Sequence, residues 1–126
     1  MTGRLAIGVG CSSRAAADDM VALMRACIAE IGPAEIEPDT ILATIDTRSQ
    51  MGESVAGVLG LQLVLFSAEA LARVAGTTIV SAYALRAADT PSVAEASALL
   101  ALGPGARLSL PRHTGRLCTC AVAVLP

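Results

Sequence analysis

Apolar positions recur along this chain with two different periods, and the switches between them outline an alternating fold. Arg4 to Val9 is a short, nearly continuous apolar run, which reads as a buried strand. Gly8 and Gly10 break it, and Ser12 or Ser13 is placed to cap a helix. Met20, Met24, Cys27, Ile28 and Ile31 then recur at helical spacing and form one apolar stripe. Asp18 and Asp19 sit early in that helix, on the favourable side of its dipole, and Gly32-Pro33 stops it. Ile41 to Ile45 reads as a second strand, ended by Asp46. A helix is expected from about Ser49 to Leu59, with Met51, Val55, Val58 and Leu59 inward and Gly60 closing it. Leu61 to Phe66 is a third strand, and Ser67 caps a short helix that Gly76 ends.

The second half is less regular. Thr77 to Asp89 mixes strand-favouring Ile79-Val80 with helix-favouring Ala82 to Ala88, and a short helix from near Ser81 is the better reading. Ser92-Val93-Ala94-Glu95 has the capping-box pattern, which accounts for Glu95 and opens a helix to about Leu102. Gly103-Pro104-Gly105 stops it. Arg107 to Leu110 and Leu117 to Val124 read as two strands, and the short loop Pro111 to Arg116 between them favours an antiparallel hairpin. The order is β-α-β-α-β-α-(α)-α-β-β. It predicts an α/β fold: a three-layer α/β/α arrangement with a mixed, mostly parallel five-stranded sheet ending in an antiparallel hairpin. Residues 1–126 read as a single domain.

Composition narrows the function classes. The chain is 54% hydrophobic, yet only Phe66 and Tyr83 are aromatic, so the core must be built from small aliphatic side chains. All nine basic residues are arginine, and the net charge is −2 with no basic block. A nucleic-acid partner is therefore not expected. No apolar run reaches the roughly 18 residues of a membrane span. Met1 to Gly10 is too short and glycine-rich for a signal peptide, so a cytoplasmic location is expected. In a reducing compartment Cys11, Cys27, Cys118 and Cys120 are expected as thiols.

In open α/β sheets ligands sit beyond the carboxyl ends of the parallel strands. Three loops qualify: Gly8 to Arg14, Thr44 to Ser49, and Phe66-Ser67. In the first, Gly8 and Gly10 allow close backbone approach, and Arg14 adds a charged fork near a helix start that favours an anion. A tight strand-to-helix turn explains the same glycines without a ligand. The loop is a poor dinucleotide fingerprint, because Ser13 stands where a third glycine belongs. In the second loop, Asp46 and Glu53 are the candidate acid/base pair, although Asp46 also suits a bond to the next helix. Arg48 follows closely. His113 is the one histidine, between Arg112 and Arg116, and a solvated surface role is the plain reading. Cys11 is the cysteine best placed for reactivity. No metal site or cofactor is expected.

Several ordered segments carry a resemblance. Ile7-Gly8-Val9-Gly10-Cys11 with Arg14, Leu42 to Asp46, Glu53, Leu65 to Leu71, Ser81, Pro91 to Ala96 with Ala98 to Leu100, and Thr119 to Val124 together resemble the CobE/CbiG carboxy-terminal-domain family. The resemblance implies a role in cobalamin (corrinoid) biosynthesis. Its partners would be a corrinoid or precorrin intermediate such as hydrogenobyrinic acid, and other enzymes of that pathway. The chain looks like the family's stand-alone type, for which an accessory, corrinoid-binding role is expected. The multi-region relatives imply the alternative, a hydrolase that opens the lactone of cobalt-precorrin-5A with loss of acetaldehyde. Carried onto this chain, the expected binding residues are Gly8, Gly10, Cys11, Arg14, Thr44, Asp46, Arg48 and Arg112, with Asp46 and Glu53 the catalytic candidates. Arg48 and Arg112 stand where the family commonly has lysine, which keeps the charge and removes a proton-transfer option.

Overall fold

The computed structural model describes residues 4–32, 36–37, 39–74 and 92–126. Five strands form one sheet: β1 (Arg4–Cys11), β2 (Ile41–Ile45), β3 (Gln62–Phe66), β4 (Arg107–Gly115) and β5 (Cys118–Leu125). The spatial order is β3-β2-β1-β5-β4. β1 pairs in parallel with β2, and β2 with β3, while β5 runs antiparallel to both β1 and β4. Four strands thus share one direction, and β5 alone opposes them. The mixed, mostly parallel sheet expected from the alternating pattern is present.

Helices cover both faces. α1 (Ala17–Ile31) and α2 (Ser49–Leu59) lie on one side, where Met20, Met24, Cys27 and Val55 close over Ile7, Leu42 and Val122. α3 (Ala68–Ala72) and α4 (Ser92–Leu102) lie on the other, against Ala6, Ala43 and Ala123. The expected stripe on α1 is the buried one, because Met20, Met24 and Cys27 fall one turn apart. α2 ends as expected on Gly60, whose φ of 69° is left-handed and whose N–H returns to the Ala56 carbonyl. Ser67 caps α3 by accepting the Ala70 N–H at 3.1 Å.

Four expectations need correction. α1 starts at Ala17 with no side-chain cap, because Ser12 is used in a turn of its own: its Oγ accepts the Arg14 N–H and its carbonyl accepts the Ala15 N–H. Val58 does not face inward. It is 59% exposed, and Gly52, Val55 and Ala56 form the buried side of α2. The Pro111 to Arg116 segment is not a loop. Strand pairing continues to Gly115 opposite Cys118, and only Arg116-Leu117 turn. Pro111 is tolerated because β4 is an edge strand and its register shifts between Leu110 and His113. Finally, Glu95 does more than a capping box requires. It is buried at 1% exposure, and its Oε2 accepts the Arg112 N–H at 3.2 Å, which satisfies the amide freed by that shift. The Ser92 side chain and the expectations for Gly76 and for Thr77 to Asp89 lie outside the described residues.

Candidate functional site

The carboxyl edge of the sheet is where β1 and β2 deliver their loops. Two recesses lie there, on either side of Cys11 and Ser12. One, of about 370 Å3, lies between the β1–α1 loop and the start of α2, with Ser13, Arg48, Gln50 and Met51 in its wall. The other, of about 380 Å3, lies between the same loop and the β4–β5 turn, with Arg14, Leu117 and Cys118 in its wall. Both are open, half-polar hollows near the small end of the range for ligand pockets, too small to enclose a whole macrocycle. A third recess of about 350 Å3 lies at the opposite edge, between α3 and α4, around Arg73, Leu99 and Gly105.

The bonding that shapes the first recess follows from strand geometry. Val9 and Cys11 turn their carbonyls toward β2. Thr44 Oγ1 donates to the Val9 carbonyl at 2.8 Å, in a fully buried contact. Arg48 Nε donates to the Cys11 carbonyl at 3.0 Å. These two bonds tie the ends of β1 and β2 together and hold the guanidinium in the wall of the recess. The turn after β2 is a single 3-10 turn, Asp46–Arg48, which brings Arg48 back toward β1 directly before α2. Arg14 is exposed beside the second recess.

The expected site residues therefore divide. Cys11, Arg14 and Arg48 line the recesses. Thr44 is buried and acts through its bond to β1. Gly10 reaches the second recess, but a Cβ there would also meet Val93 at 3.2 Å, so it serves packing as well. Gly8 lies beneath α4: a Cβ would collide with the Ala94 carbonyl and stand 2.8 Å from the Ala98 nitrogen. What approaches that backbone is a helix. Asp46 and Glu53 are both exposed, neither lines a recess, and no hydrogen bond or ion pair joins them among the described residues. Arg112 lies on β4, three residues before the strand's end, and lines neither recess.

Two features escaped sequence reasoning. Leu117, in the β4–β5 turn, has a φ of 58° and is 41% exposed at the rim of the second recess. A left-handed leucine is strained by about 1–2 kcal/mol. No residue-type signal marks it, since glycine or asparagine is the usual occupant. His113 is not simply solvated. Its Nδ1 lies 2.9 Å from the Pro111 carbonyl and its Nε2 lies 3.0 Å from Glu30 Oε2. Both contacts are to acceptors, so the doubly protonated ring is favoured, and the bond to the Pro111 carbonyl raises its pKa most. Arg116 reaches Asp19 at 3.7 Å, a second tie between α1 and the hairpin.

None of the four cysteines is in a disulfide, and all are buried. Cys120 hydrogen-bonds to Cys27, which holds the Cys27 thiol below its usual value and, with burial, drives Cys120 well above. Burial pushes the Cys118 thiol up to about 11, with Cys11 beside it adding to the effect. No cluster of three or more metal-ligating side chains occurs among the described residues. None of the described helices is long and apolar enough to cross a membrane.

This three-layer α/β fold is shared with solved structures of other proteins. The crystal structure of CobE, a protein from the cobalamin (vitamin B12) biosynthetic pathway, is similar over 100% of this chain and 93% of that one, with a TM-score of 0.75 and 28% identity. Cobalamin biosynthesis protein chiG from Agrobacterium tumefaciens is similar over 95% of this chain and 97% of that one, with a TM-score of 0.69 and 30% identity. A putative cobalamin biosynthesis protein G homolog from Sulfolobus solfataricus shares the fold at 20% identity and a TM-score of 0.69; the match covers 98% of this chain but 37% of that one. No curated protein matches. The family described as cobalamin synthesis G C-terminus matches residues 5–123, and the chain belongs to it.

Proposed function

We propose that this protein binds a corrinoid intermediate of cobalamin biosynthesis, such as hydrogenobyrinic acid, at the carboxyl edge of the sheet. The observation that carries this reading is the pair of recesses flanking Cys11-Ser12, with Arg48 in one wall and Arg14 in the other. A corrinoid acid is a broad apolar ring fringed by carboxylates. The ring is too wide for either recess, so the recesses would take peripheral carboxylates while the ring lies across the edge. Guanidinium groups suit that task, because their planar donor fork matches a carboxylate. The amino ends of α1 and α2 point the same way and add favourable partial charge. Exposed Leu117 offers apolar contact at the rim. The binding is accessory rather than hydrolytic in this reading, since Asp46 and Glu53 stand outside both recesses.

Absorbance titration with hydrogenobyrinic acid tests the proposal. Arg48→Ala is expected to weaken binding about tenfold or more, the scale of one charge-assisted hydrogen bond. Arg14→Ala should weaken it less, because Arg14 is more exposed. A corrinoid whose peripheral carboxylates are amides should bind weakly to the parent protein. Equal affinity for the acid and amide forms would contradict the carboxylate reading.

A further inference from the structure

We propose that Cys11 and Cys118 form an oxidisable dithiol that closes to a cross-strand disulfide at the floor of the second recess. The two residues are direct partners in the β1–β5 register. Both side chains lie on the α1/α2 face, in the same core cluster. The kind of pair they form can be read from its neighbours. The Ser12 N–H donates to the Leu117 carbonyl at 2.9 Å, so residues 12 and 117 make a hydrogen-bonded pair. On the other strand edge, the Cys11 carbonyl faces away from β5 and accepts from Arg48 Nε. The 11–118 pair is therefore the non-hydrogen-bonded kind, in which side chains approach most closely and the Cα atoms stand about 4.5 Å apart. A disulfide spans Cα separations of roughly 4.4–6.8 Å, so closure needs no strand movement.

Access separates this pair from the other. Cys11 and Cys118 both line the recess of about 380 Å3. Cys27 and Cys120 also neighbour each other, but both are fully buried and neither lines a recess at this edge. Hydrogen peroxide is an oxidant small enough to enter such a hollow. The Cys11 thiolate attacks the peroxide oxygen; the O–O bond breaks, a sulfenic acid forms on Cys11, and the departing oxygen takes up a proton as water. The Cys118 sulfur then attacks the Cys11 sulfur. The S–S bond forms, the S–O bond breaks, and hydroxide leaves with the Cys118 proton as a second water. Two electrons pass from the sulfurs to the peroxide. Cys118 enters as a protonated thiol at neutral pH, so the second step should quicken as pH rises.

The test is to treat the folded full chain with hydrogen peroxide, alkylate under denaturing conditions, and map the peptides by mass spectrometry. The expected result is a Cys11–Cys118 crosslink, reversed by dithiothreitol, with Cys27 and Cys120 alkylated. Cys11→Ser and Cys118→Ser should each abolish it. Three results overturn the proposal: all four cysteines alkylated, a Cys27–Cys120 crosslink instead, or Cys11 oxidised to sulfinic acid with Cys118 still a thiol. The parent chain alone decides among these, so the test does not depend on either variant folding.

Discussion

The two faces of the sheet solve the same packing problem with opposite materials. On the α3/α4 face the contact is thin. Ala6, Ala43 and Ala123 meet Ala98, and Gly8 lets the α4 backbone come down onto β1. Ser97 fits there by donating its buried hydroxyl back to the Val93 carbonyl at 2.7 Å. On the α1/α2 face the layer is thick and deformable: Met20, Met24, Ile7 and Leu42 fill it, and all four thiols lie within it. Close backbone contact admits no added atom, because a helix carbonyl cannot rotate away as a side chain can. Methionine and cysteine, by contrast, adjust. The rigid face holds β1 still, and the soft face carries the sulfur chemistry.

This contrast sets the order of expected effects. Gly8→Ala should be the most damaging single substitution, since the new methyl meets the Ala94 carbonyl. A loss of about 3 kcal/mol or more in a urea melt is expected, or failure to fold. A loss under about 1 kcal/mol would mean that α4 does not sit as closely as described.

Alkaline pH should act next, and on the soft face only. The folded-state pKa of Cys118 is raised to about 11. A group raised in this way favours the fold fully below its unfolded value, and the contribution is lost as pH climbs through the folded one. Stability should therefore fall by on the order of 2 kcal/mol between about pH 9 and 11. Cys118→Ala should reduce that slope without abolishing it, because the Cys120 thiol is raised as well. An unchanged slope would place the cause elsewhere. Met24→Leu should be the mildest, under about 1.5 kcal/mol, because volume is conserved in an adaptable layer. A loss as large as that of Gly8→Ala would erase the distinction between the faces.

The alternation of strands and helices was legible because Met20, Met24 and Cys27 keep helical spacing and Ile41 to Ile45 keep a short apolar run. The hairpin was legible in kind but not in extent. Pro111 to Arg116 reads as a loop, and only Glu95, buried on α4, shows how the Arg112 amide left outside the ladder is satisfied. That is a contact between residues 17 positions apart, invisible to local pattern. Gly8 shows the same limit at the site. Its sequence signature, a glycine at a strand end, is identical whether a ligand or a helix approaches. Arg48 was legible as a candidate from its place after β2. Its bond to the Cys11 carbonyl needed the parallel register of β1 and β2 in space.

The most direct test of the binding edge is amide hydrogen exchange with and without saturating hydrogenobyrinic acid. Protection is predicted from Cys11 to Ala17, through the β1–α1 loop and its two ends, and across Thr47 to Ser54, where the first recess is built. Binding accompanied by protection only around Arg73, Leu99 and Gly105, at the opposite edge, would contradict the account.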